Sequence, residues 1–489
     1  MKEKLTHAES LTISSMLFGL FFGAGNLIFP AYLGEASGAN LWISLLGFLI
    51  TGVGLPLLAI ASLGMTRSEG LLDLSGRVSH KYSYLFTCLL YLTIGPFFAI
   101  PRCFTVPFET GISALLPSGM TKSTGLFIFS LIFFAIMLFF SLRPGRIMDW
   151  IGKFLTPAFL LFFFFIMITA LLHPLGNYQA VKPVGEYASA PLISGVLAGY
   201  NTMDALAGLA FGIIVISSIR TFGVTKPEKV ASATLKTGVL TCLLMAVIYA
   251  ITALVGAQSR TALGLAANGG EALSQIARHY FPGLGAVIFA LMIFVACLKT
   301  AIGLITACSE TFVEMFPKTL SYNKWAIIFS LLAFGIANVG LTTIISFSLP
   351  VLMLLYPLAI SLILLALTSK LFDFKQVDYQ IMTAVTFLCA LGDFFKALPA
   401  GMQVKAVTGL YGRVLPLYQD GLGWLVPVAV TFVILAIKLQ SVKNSPNAKT
   451  ASSFAGSRFI LTKNPLWTGN RVDQGGSRTI CVMSLRYQV

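Results

Sequence analysis

Apolar residues arrive in runs of about twenty, parted by short polar stretches, along most of the chain. A helix of that length rises about 30 Å, the thickness of a bilayer's hydrocarbon core. Twelve runs are predicted as membrane-spanning helices, near 10–33, 41–64, 82–101, 124–141, 150–172, 192–217, 232–257, 282–308, 325–343, 346–369, 379–397 and 421–440. Two of them contain residues that a plain spanning helix avoids. The first run holds Phe21-Phe22-Gly23-Ala24-Gly25-Asn26-Leu27, and the sixth holds Gly199-Tyr200-Asn201-Thr202-Met203-Asp204. Glycine inside a helix costs about 1 kcal/mol against alanine, and Asn and Asp compete for backbone hydrogen bonds. Both stretches are read as breaks in a membrane helix.

The placement of the breaks suggests a repeat. Five runs, over 10–172, begin with the first break. Five more, over 192–369, begin with the second. An odd number of crossings inverts the second block relative to the first. Paired interruptions at matching places in inverted halves point to a transporter binding site. No residue-level identity links the halves, so the repeat rests on hydropathy and the breaks. The runs over 379–440 stand outside it. The predicted fold is an all-α integral membrane protein, with a transporter domain over 1–440.

Composition changes this picture little. The chain of 489 residues is 57% hydrophobic and 10% charged, where a soluble domain carries about 25% charged residues. The net charge of +15 reports topology and not nucleic-acid binding. With the N-terminus in the cytoplasm, 18 Lys and Arg fall on cytoplasmic segments up to residue 448 and 8 on outer ones, which places both termini inside. Residues 441–489 read as a cytoplasmic tail, basic and disordered, beside anionic lipid; a non-native end is the alternative. The seven cysteines show no CxxC spacing and read as packing residues. No cleavable signal peptide is apparent. Neither HExxH nor a glycine-rich phosphate loop occurs, so no enzyme, cofactor or resident metal is expected beyond a sodium site. A channel would need a sustained polar stripe, and no run shows one.

The breaks carry the candidate chemistry. A half-helix ending near Phe22 leaves carbonyls with partial negative charge, and one restarting near Leu27 leaves amides with partial positive charge. Carbonyl ends suit an ammonium or a cation, and amide ends suit a carboxylate. A zwitterion such as an amino acid fits two such breaks at one depth. Asn26 and Asp204 each sit where a half-helix restarts, and capping is the plain role for both. Asp204 is also an acid near mid-membrane, and such residues are functional candidates. In the eighth run, a Thr300 hydroxyl facing the carbonyls around Phe22 and Gly23 would complete an oxygen site for sodium. Lys299 has two readings. It snorkels to the surface, or its ammonium takes a cation position and favours proton coupling or exchange. In the third run, Arg102 and Glu109 are seven residues apart and could pair across one helical face, as a structural link or an outer gate.

The stretch Phe18-Gly-Leu-Phe-Phe-Gly-Ala-Gly-Asn-Leu-Ile-Phe-Pro30 resembles the first span of the bacterial branched-chain amino acid:cation symporters. Further matches are Gly47-Phe-Leu-Ile-Thr-Gly-Val-Gly-Leu-Pro56, Gly95-Pro96 with Pro101-Arg102 and Phe108-Glu109, Gly199-Tyr-Asn-Thr-Met-Asp204, and Ala296-Cys297 with Thr300-Ala301. They run in order over roughly 10–440. The resemblance implies import of leucine, isoleucine and valine through a bacterial plasma membrane, coupled to sodium or protons. It implies a leucine-transporter-like fold of five plus five inverted spans and two extra. In that fold the unwound middles of spans one and six hold the substrate, which points here to Gly23, Ala24, Gly25 and Asn26 and to Tyr200, Asn201, Thr202 and Asp204. A sodium ion between spans one and eight points to Thr300. The alternative within transport is proton-coupled or exchange transport of a wider set of neutral amino acids.

Overall fold

The computed structural model describes residues 4–143, 148–283 and 285–444. Of the predicted tail at 441–489, residues 441–444 are the end of helix Leu425–Asn444 and the rest lies outside the described residues, as do Lys2 and Arg146 of the charge count. Every regular element among the described residues is helical. Among the described residues, eight helical stretches are long and apolar enough to cross a membrane, and Pro191–Ala210 with Gly212–Thr221, bent by 41°, makes a ninth. Three places separate this count from the twelve expected. The first run is split into His7–Phe21 and Ala24–Ser37, and the second of these continues into one stretch, Ala24–Thr66. The ninth and twelfth runs correspond to Tyr322–Ala337 and Leu425–Gln440, apolar helices shorter than a full crossing.

Large apolar side chains such as Leu131, Phe165, Leu172 and Leu243 are exposed on the long helices. In water such a surface would drive association, whereas hydrocarbon solvates it. With lipid outside, close association of helices depends on packing, and small residues allow it. Pro227–Leu263 lies along Ala24–Ser37, and Pro191–Tyr200 lies along Leu41–Leu49. Glycine makes both contacts possible. A Cβ on Gly34 would stand 1.9 Å from the Ala253 carbonyl oxygen, and one on Gly195 would stand 1.9 Å from the Ser44 oxygen.

Among the described residues, two α-helices of ten residues or more lie outside the predicted runs, Gly269–Tyr280 and Lys405–Val414. The first is amphipathic and buries Ala272, Leu273, Ile276 and Ala277. Asn268 caps it, accepting from the Gly270 and Glu271 amides at 3.0 Å each. Buried Glu35, in helix Ala24–Ser37, accepts from the Ala266 amide at 3.0 Å and so ties this segment to the first break's outgoing helix. A polar helix lying on the bundle has no twenty-residue apolar signature, so hydropathy passes over it.

Candidate functional site

Both predicted breaks are present. Helix His7–Phe21 ends at Phe22, whose backbone leaves helical geometry at φ −78°, ψ 87°, and the chain restarts at Ala24 after an extended Gly23. The sixth run stops at Tyr200 and restarts at Asp204. Its turn is held by 3₁₀-type bonds, Asn201 N to Ala198 O, Thr202 N to Gly199 O and Met203 N to Tyr200 O, at 3.0–3.2 Å. Met203 then adopts the left-handed region at φ 63°, a conformation that costs a residue with a side chain about 1–3 kcal/mol.

Neither Asn26 nor Asp204 is the cap residue expected of it. Asn26 lies three positions into its helix and reaches back, its Oδ1 accepting from Gly23 N at 2.9 Å. Asp204 is the first residue of its helix, with Met203 at the cap. What Asp204 does instead is join three helices. Its Oδ2 accepts from Asn26 Nδ2 at 2.6 Å and from the Tyr249 hydroxyl at 2.7 Å, and Asn26 Nδ2 also donates to that hydroxyl. A carboxylate buried away from water is tolerable when charge-assisted bonds of this kind surround it. Tyr249 sits in an apolar stretch of Pro227–Leu263, and nothing in the sequence separates it from the other tyrosines.

A cavity of about 40 Å³ opens between the breaks. Gly23, Ala24, Gly25, Asn26, Asn201, Thr202 and Asp204 line it, together with Thr300 and Arg102. Apolar residues that include Leu20, Ile94, Phe211 and Leu304 complete the lining. The first break passes the eighth run closely, and a Cβ on Gly23 would meet Thr300 Oγ1 at 3.0 Å. Tyr200 departs from expectation. Its ring stacks on Tyr356 with centroids 4.2 Å apart, and it does not line the cavity. The apolar part of the lining was not read from the sequence, because its members resemble every other core residue.

Lys299 does not snorkel. It is fully buried, and its Nζ donates to Gly19 O at 3.2 Å and to Phe22 O. Thr300 Oγ1 also donates to Gly19 O, at 3.3 Å. The rings of Phe18, Phe22 and Phe159 surround the ammonium, 4.8–5.6 Å from their centroids, a cation–π arrangement. The ammonium thus stands on the carbonyl end of the first half-helix.

The expected Arg102–Glu109 pair does not form. Glu109 Oε1 accepts from Leu341 N at 3.1 Å. Arg102 Nη1 donates to Asn201 O at 3.1 Å and Nη2 to Ser348 Oγ. Helix Ala99–Thr110 carries both residues on nearby faces, but helix Leu341–Thr368, which starts within the predicted ninth run and continues through the tenth, bonds to each of them separately.

Known proteins resemble this chain closely. A family model described as branched-chain amino acid transport protein matches residues 6–442. A branched-chain amino acid permease BrnQ of Lactobacillus delbrueckii subsp. lactis is 97% identical over 438 residues, covering 90% of this chain and 98% of the relative. The BrnQ permease of Bacillus subtilis is 42% identical, covering 87% and 96%. The fold is similar to that of Mhp1, a nucleobase-cation-symport-1 family transporter, with a TM-score of 0.55 at 13% identity, over 92% of this chain and 98% of that one. It is also similar to that of MhsT in complex with L-phenylalanine, with a TM-score of 0.54 at 14% identity, over 88% and 99%. The relatives are named permeases and the fold is a transporter fold, so the chain is a multi-pass membrane transporter and not an enzyme. On the match over residues 6–442 and these identities, the chain belongs to the branched-chain amino acid transport protein family.

Proposed function

We propose that this protein imports leucine, isoleucine and valine across a bacterial plasma membrane by cation symport with alternating access. The observation that carries this reading is that two broken helices open onto one cavity, whose lining joins the polar residues of the breaks to apolar side chains. The N–H groups that open Ala24–Ser37 have no partner one turn back, and they face the same space as the Asp204 carboxylate. That combination suits a zwitterion with a branched apolar side chain, and the names of the relatives supply the amino acids. We take the chain to cross the membrane twelve times, as five plus five inverted spans over 10–172 and 192–369 and two more, with both termini cytoplasmic.

For the coupling ion, Lys299 favours a second reading over sodium. Its ammonium occupies two of the carbonyls, Gly19 O and Phe22 O, to which a sodium ion beside Thr300 would bind. A tethered cation there suits proton coupling, or exchange of a wider set of neutral amino acids. The test is labelled leucine uptake into proteoliposomes with and without an inward sodium gradient, for the native chain and Lys299→Thr. Leucine uptake by the native chain that ignores the gradient, and becomes sodium-dependent in the variant, is the expected result. Full sodium dependence of the native chain would overturn the lysine's role, and absence of leucine uptake would overturn the transport reading.

A further inference from the structure

We infer that Arg102 binds the carboxylate of the transported amino acid, an assignment that rests on the transport reading above. Arg102 is 4% exposed and lines the cavity between the breaks. Its Nε has no hydrogen-bond partner within the protein. Among the described residues no carboxylate pairs with it. Glu109 is turned to the Leu341 amide, and the Asp204 oxygen nearest its neighbours is held by Asn26 and Tyr249. The two bonds that Arg102 does make go to neutral oxygens, Asn201 O and Ser348 Oγ.

A guanidinium removed from water without a counter-charge is strongly unfavourable. Where such a group faces a cavity, the missing anion is supplied by what enters. A carboxylate matches the planar fork of a guanidinium and accepts charge-assisted bonds from it. Lys299, the other cation buried at the breaks, does not line the cavity and is engaged with backbone carbonyls. Arg102 therefore answers the carboxylate, beside the amides that open Ala24–Ser37, while the Asp204 carboxylate serves the ammonium. The apolar residues of the lining take the side chain. Because Arg102 also donates to Asn201 O, a bound carboxylate would tie the third run to the break in the sixth.

The test uses the full chain in lipid nanodiscs and competition against labelled leucine. The competitor is L-leucinol, which keeps the ammonium and the side chain and lacks the carboxylate. A site built to bond a polar group rejects the analogue without it strongly. The native chain is expected to favour leucine over leucinol by at least about 100-fold. Arg102→Met is expected to lose that ratio through weaker leucine binding, with leucinol binding unchanged. Ser348→Ala removes a structural partner of Arg102 and is expected to keep the ratio. Equal loss of both ligands in Arg102→Met, or an unchanged ratio, would overturn the assignment, as would equal binding of the two by the native chain. Should Arg102→Met not fold, Arg102→Lys is read by the same ratio, with at least a tenfold fall expected because an ammonium lacks the fork. Native chain that binds no branched-chain amino acid would overturn the transport reading itself, an outcome distinct from all of these.

Discussion

The two breaks face the same cavity but are built differently. The break after Phe21 is completed by other helices. Lys299 and Thr300 of Gly285–Met315 take its carbonyls, and Asn26 links its restart to Asp204 and Tyr249. The break after Tyr200 is closed largely by its own chain. Tight turn bonds hold it, Thr202 Oγ1 donates to Gly199 O at 2.8 Å, and Asn201 Nδ2 donates to Leu197 O at 3.4 Å. Of the bonds to its carbonyls, Arg102 supplies the long-range one. A backbone end satisfied from a distance changes whenever its partners move, whereas one satisfied locally moves as a unit. The first break is thus the place where helix movement is felt by the backbone, and the second is a preformed turn.

This contrast can be broken by substitution. The largest effect is expected for Gly25→Leu. A Cβ there already meets the Phe29 ring at 3.2 Å and Asn201 O at 3.6 Å, so a leucine side chain fills the space between the breaks. Leucine uptake should fall to background with membrane insertion intact, as checked by uptake alongside immunoblotting of the membrane fraction. Retained uptake would remove the cavity from the transport path. Asn26→Ala should act next most strongly. It deletes the bond to Gly23 N and the donor to a buried carboxylate, a loss of about 3 kcal/mol, seen as a lower melting temperature in detergent and reduced uptake. Thr202→Val should be mildest, losing two local bonds, to Gly199 O and from Asp204 N, worth about 1 kcal/mol each, and leaving uptake within a few-fold of the native chain. A Thr202→Val defect equal to that of Asn26→Ala would erase the distinction between the breaks.

The breaks themselves were legible because glycine, asparagine and aspartate are out of place in an apolar helix. The partners of those residues were not. Asp204 was visible as a mid-membrane acid, yet its hold on Tyr249 depends on how Pro227–Leu263 lies against Ala24–Ser37. The spacing of Arg102 and Glu109 suggested a pair, and helix geometry allows one. Helix Leu341–Thr368 offered both residues other partners, and a sequence pattern within one helix does not register neighbours 232 and 246 residues away. Lys299 illustrates the same limit. Its distance from the helix end allowed snorkelling, but three phenylalanine rings and two carbonyls enclose it where it stands.

By itself the sequence determined the class of molecule, the approximate course of its apolar helices and the position of both breaks. These follow from local facts: hydropathy summed over a helix length, and residues whose backbone preferences oppose a helix. Tertiary structure alone decided that the breaks share one cavity, that Lys299 rests on the first break's carbonyls, and that Arg102 faces the cavity without an anion. Those are matters of which surfaces meet, and they depend on the close approach of helices far apart in the chain. Hydropathy, which scores each residue against lipid or water, is blind to which buried group lies beside which.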